Sequence, residues 1–176
     1  MTLFNEQFDV IIINNIKNVF FMKNNYLNLY NNLIKLATNK DLYINFKKQD
    51  TFSERLTFFL LHLAFFLKNF KNQNNSSILQ EIYDFNFRQL ELSIREIGYG
   101  DQSINKKMKE YINVFHGMVS DIHFWETLTK TEKLNKISNF LVDIENTEYL
   151  VDYFEDFNQN LSKKTLNSYL KSVSNA

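Results

Sequence analysis

The chain of 176 residues has no cysteine, no proline and only 3 glycines. Without cysteine there can be no disulfide, no thiolate nucleophile and no zinc–thiolate site. That absence suits a reducing compartment. Without proline, nothing in the sequence breaks a helix from inside. An excess of charge is also missing: 20 basic and 20 acidic side chains give a formal net charge of zero. A nucleic-acid binder carries a basic excess or a clear basic patch, so no nucleic-acid partner is expected. Long apolar runs are absent too. The longest, Phe58 to Leu67, is interrupted by His62, and a membrane-spanning helix needs about 20 apolar residues. At the N-terminus, Val10 to Ile13 is too short for a signal peptide, and Glu6 and Asp9 come before any lysine. The expectation is a protein on the cytoplasmic side, with at most peripheral contact with an inner membrane.

Aromatic residues are in excess, with 18 Phe and 9 Tyr. Two readings are open. The bias accompanies abundant Asn, Lys and Ile, as in an AT-rich genome. Alternatively, some rings are exposed to grip an apolar client. Hydrophobic residues make up 44% of the chain, enough for one core, and a chain of this length buries about 70% of its unfolded surface. One domain over residues 1–176 is expected.

The periodicity is helical throughout. Phe4, Phe8, Ile12, Ile16 and Val19 share one face of a first helix. Tyr26, Leu29, Tyr30, Leu33 and Leu36 share a face of a second, followed by a connector over residues 39–48. Thr51 with Glu54 marks the start of a third. Its stripe is Phe52, Leu56, Phe59, Leu63, Phe66 and Phe70, and Phe58, Leu60, Leu61, Phe65 and Leu67 fill most of the rest. A helix apolar nearly all round belongs at the centre of a bundle. Ser77 with Gln80 reads as a capping box for the next helix. Thr129 with Glu132 reads as another, and Ser162 as a cap for the last helix. The sum is an all-α bundle of about eight helices around a central helix at residues 51–70.

All three glycines fall within residues 93–117, SIREIGYGDQSINKKMKEYINVFHG. Each marks a place where the backbone is expected to need a positive φ or a close approach. Gly98 sits where a helix C′ residue would, and Asp101 or Ser103 can cap the helix that follows. Gly-Tyr-Gly-Asp lacks the spacing and the preceding strand of a nucleotide-binding loop. His62 reads as a neutral core histidine with both nitrogens bonded, or as part of a pocket with Arg55. His116 and His123 stand seven apart without a third ligand at recognisable spacing, so no metal is expected. No catalytic set is legible.

Residues 95–117 resemble the ubiquinol–cytochrome c chaperone family. Its pattern runs LREMGVGD, a small polar stretch, GK(K/R), then an apolar segment ending FYGR. Arg95, Glu96, Gly98, Gly100, Asp101, Lys106, Lys107, Phe115 and Gly117 stand at matching positions. Asn105, His116 and Met118 depart from it, and Gln89 and Glu91 stand where members often carry aspartates. Asp50-Thr51, Arg55-Leu56 and Leu61-His62 resemble a second family pattern, DT..GRF…LH, with Glu54 in place of its glycine. The similarity covers residues 26–117; residues 118–176 carry no recognised motif.

The resemblance implies an assembly chaperone for ubiquinol–cytochrome c reductase (respiratory complex III), not an enzyme. Its client would be newly made, cofactor-poor cytochrome b. A ribosome or a small partner protein would be further contacts. Haem and quinone would belong to the client, so no cofactor is expected here. The composition points to a bacterial, alphaproteobacterial member; in a mitochondrion the protein would face the matrix. Arg95, Glu96, Gly98, Gly100, Asp101, Lys106 and Lys107 are the expected client-binding corner and rim beside an apolar groove. The competing expectation is a small helical enzyme or ligand-binding domain with a pocket at Arg55 and His62.

Overall fold

The computed structural model describes residues 24–46, 51–98, 100–141, 144 and 146–174. Seven α-helices lie among them: α1 (24–37), α2 (Phe52–Phe70), α3 (Ser76–Glu96), α4 (Asp101–Asp121), α5 (Lys130–Ser138), α6 (Glu148–Ser162) and α7 (Leu166–Ser174). There is no strand among the described residues, only an isolated antiparallel bridge between Phe46 and Ile144. The expected first helix at Phe4 to Val19, and Asp50, lie outside the described residues.

The central position of α2 follows from its apolar circumference. Every residue from Phe58 to Phe66 is buried, His62 included. Packing against α4 and α6 accounts for two of its sides. Phe65 stacks on Phe154 of α6 at 5.2 Å and meets Trp125 edge-on at 5.1 Å. On a third side Tyr30 of α1 meets Phe59 edge-on at 5.5 Å. The aromatic excess is therefore mostly core: among the described phenylalanines, Phe52 and Phe124 are the exposed ones. Phe52 was expected on the buried stripe. As the first residue of α2 it lies beyond the layer that covers Leu56 and Phe59.

Two of the expected helix starts form as read. Thr51 accepts from the Glu54 amide, and the Glu54 carboxylate accepts from the Thr51 amide; Thr129 and Glu132 make the same exchange. Two others form differently. Asn72 captures the Asn75 amide and draws residues 73–75 into a 3₁₀ turn, so α3 begins at Ser76 and Ser77 caps nothing. Gln80 instead donates to Asp84. Ser162 ends α6, and Thr165 with Ser168 closes the start of α7.

The connector after α1 lies on the body, as expected. Leu42, Tyr43 and Phe46 are buried, and the Leu42 carbonyl accepts from the Tyr149 hydroxyl at 2.8 Å.

Candidate functional site

Gly98 takes φ +99°, the conformation its place after α3 requires. The chain then reverses, and α4 runs antiparallel to α3. Gly100 occupies the N-cap position of α4 with no side-chain cap, so neither Asp101 nor Ser103 plays that part. Asp101 enters the first turn, where its charge complements the helix dipole. Gly117 lies inside α4, and a Cβ there would meet nothing within 4 Å. Of the three glycines, only Gly98 meets a conformational need.

Arg95 ties the corner together. Its guanidinium donates to Glu91 Oε1 through Nε at 3.1 Å and a terminal nitrogen at 2.7 Å, and to the Asp101 carboxylate. The bond to Glu91, then that to Asp101, raises its pKa. Glu96 and Lys106 are exposed, and Lys107 is half-buried.

A small apolar groove of about 180 Å³ opens at this end of the molecule. Tyr30, Ile34 and Ala37 of α1 form one wall, Phe52, Leu56 and Phe59 of α2 another, and Leu90 and Ser93 of α3 the third. Tyr30 Oη and Ser93 Oγ lie 3.3 Å apart and join two of the walls. Arg55 is exposed at the rim. Ile34 is 39% exposed, Phe52 45%, and Ile97, one turn beyond Ser93, 58%. The corner charges do not line this groove. Arg95 follows Ser93 by two residues, about 200° around the helix, and turns to Glu91 and Asp101. The cation at the groove is Arg55.

His62 has no part in it. It is fully buried; its Nδ1–H donates to the Phe58 carbonyl at 2.6 Å, and Nε2 accepts from the Tyr153 hydroxyl at 2.7 Å. Phe154 and Phe157 lie against the ring at 5.1 and 4.9 Å. Burial pushes its pKa down to about 4, against the Phe58 bond, which raises it. This is the neutral core histidine, and the joint pocket with Arg55 does not form.

A larger groove of about 880 Å³ lies at the far end of the α3–α4 hairpin, lined by Leu67, Lys71, Tyr83, Phe115, His116 and His123 among others. Lys68 and Glu126 form an ion pair there, and Asn158 donates to Glu126 at 2.9 Å. Burial, the largest influence on Glu126, would raise its pKa; bonds from Lys68 and Asn158 outweigh it and hold it below the ordinary value. Nothing in the local sequence pattern marks this groove, because its walls come from helix ends far apart in the chain. Among the described residues, no three acidic, histidine or cysteine side chains cluster to hold a metal. No helix among them is long and apolar enough to cross a membrane.

The family model described as ubiquinol-cytochrome C chaperone matches residues 45–173. The chain belongs to this family. The match runs through α5, α6 and α7, well past the stretch where the motifs are legible. No curated protein matches the chain. A crystal structure of the Cbp3 homolog from Brucella abortus shares the fold, with a TM-score of 0.74 at 22% identity over 90% of this chain and 92% of that one. In this ubiquinol–cytochrome c chaperone family member, the two motif stretches begin at the same end of the molecule. Phe52, Arg55, Leu56 and Phe59 line the α2 side of the small groove, and α3 continues from that groove into the Gly98 corner.

Proposed function

We propose that this protein is a complex III assembly chaperone that binds newly made cytochrome b, without covalent chemistry, at the apolar groove between α1, α2 and α3. The observation that carries the reading is the exposed apolar side chains on its walls, Ile34 and Phe52, with Ile97 exposed one turn beyond Ser93, in a chain whose other aromatic residues are mostly core. Large exposed apolar groups clustered beside a concavity suit a client with apolar segments. A groove of about 180 Å³ has room for one bulky side chain of such a segment at a time. Arg55 would face the client's polar flank. The corner, Arg95, Glu96, Gly98, Gly100 and Asp101, with Lys106 and Lys107, would supply a polar rim at the same end. A ribosome or a small partner protein as a further contact belongs to the same proposal, as does a bacterial, membrane-peripheral location.

The test is binding of the full chain to cytochrome b made in a cell-free system. Phe52→Asp with Ile34→Asp should remove most binding and leave helix content unchanged, since both side chains are exposed. Arg95→Ala with Lys106→Ala should weaken it less. Unchanged binding in the first variant would exclude this groove. Unfolding of the second variant would make those residues structural.

A further inference from the structure

The seam between α2 and α3 is hollow at both ends and closed in the middle. At one end Leu56 and Phe59 of α2 stand across the small groove of about 180 Å³ from Leu90 and Ser93 of α3. At the other, Leu67 and Lys71 stand across a hollow of about 600 Å³ from Leu79 and Tyr83. The two helices therefore run antiparallel, and from Leu56 to Lys71 the seam is about 22 Å long. Leu79, Asn86, Leu90 and Ser93 follow one another at steps of seven, four and three, so they share the face of α3 that fronts α2. Asn86 is thus a polar group in the closed middle, and it is fully buried. Its Nδ2 donates to the Ile82 carbonyl on its own helix at 2.7 Å, and its Oδ1 has no partner. Among the described residues, no other buried side-chain oxygen or nitrogen is left unpaired. Turning the amide over does not relieve it, because oxygen would then face the Ile82 carbonyl. A buried acceptor without a donor weakens the packing around it. The ring contacts of both helices point elsewhere. Phe58 and Phe65 of α2 pack on Phe154 of α6, and Tyr83 and Phe87 of α3 pack on Phe115 of α4.

We propose that α3 lifts from α2, joining the two hollows into one channel that takes an apolar helical segment of the client, with Asn86 Oδ1 accepting from a side-chain hydroxyl or amide on that segment. The inference rests on the client reading and deepens it. The small groove alone holds one side chain, whereas an apolar helix presents a face of several. A seam of about 22 Å matches about four helical turns. The backbone N–H groups inside a helix are already bonded to its own carbonyls. The donor to Asn86 is therefore a side chain, from Ser, Thr, Asn or Gln. A carbonyl left unpaired in the closed seam gains a partner in the occupied one, which favours occupation and selects segments that carry the donor.

The chain has no cysteine, so a single introduced thiol reports opening without background. Ile82→Cys places it in the seam, and Val151→Cys places it in α6; both positions are buried. Each full-length variant is labelled with a water-soluble maleimide, and the opening that exposes the thiol is compared with global unfolding of the same variant, measured by denaturant titration. That comparison removes any loss of stability the substitution itself causes. The thiol at position 82 should be exposed about tenfold or more above the level that global unfolding allows, and the thiol at 151 only through global unfolding. Asn86→Leu, which keeps the branching and removes the orphan, should raise the Tm and slow labelling at position 82. It should also weaken capture of cytochrome b made in a cell-free system about tenfold. Exposure at position 82 no greater than global unfolding allows would overturn the proposal. So would a lower Tm in Asn86→Leu, which would mean that the carbonyl is bonded in the closed seam, or capture of cytochrome b unchanged by it. Labelling needs no client. Opening in a native chain that captures no cytochrome b would therefore contradict the client reading rather than the movement of α3.

Discussion

His62 makes the stability of this protein depend on pH. In the folded chain its pKa is lowered to about 4, against an ordinary value of 6.5. The folded state therefore resists a proton that the unfolded chain accepts. The stabilisation is fully present above about pH 6.5 and declines as the pH falls toward 4. The full effect is about 3 kcal/mol. Denaturant titrations across that window should show the decline, and His62→Gln, neutral throughout, should flatten it. An unchanged slope in the variant would place the dependence elsewhere. The core position of His62 was one of two readings open in the sequence. What decided it was Tyr153, 91 residues away, whose hydroxyl satisfies the second nitrogen.

At the scale of elements, the glycines separate into kinds. Gly98→Ala forces a side chain into φ +99° with no neighbour within 4 Å to add a clash, so the cost is conformational, about 1–2 kcal/mol. Gly117→Ala meets open space inside a helix and should stabilise by about 1 kcal/mol. Thermal melts of the two variants should move in opposite directions. Spacing made Gly98 legible, because a C′ glycine follows from the helix before it. Gly117 was expected to meet a backbone need and meets none: it lies within α4 at an ordinary helical position, with Phe115 and Met118 in the core on either side. Caps show the same division. Thr51 and Thr129 pair with a glutamate three residues on, which is local and readable. The Ser77 box failed because Asn72 offered a competing acceptor just upstream. Thr51→Ala should cost about 1 kcal/mol, measurable by denaturant titration.

For the whole molecule, the all-α class and the central helix were legible because α2 is apolar on every side. The family was legible because its motif residues stand close together in the sequence, at 95–101, 106–107 and 115–117. The arrangement of the site was not. Arg95 and Ser93 are neighbours in sequence, yet the helix turns them to different surroundings. The groove draws its walls from α1, α2 and α3, which no local pattern brings together. The central claim is that the α1–α2–α3 groove holds cytochrome b. Its most direct test is a photo-crosslinking residue at position 52 of the full chain, present while cytochrome b is translated. The account predicts a crosslink to cytochrome b that fades as the client gains its cofactors, and none from a probe at position 124. A crosslink from position 124 but not from 52, or no crosslink to cytochrome b from either, would contradict it.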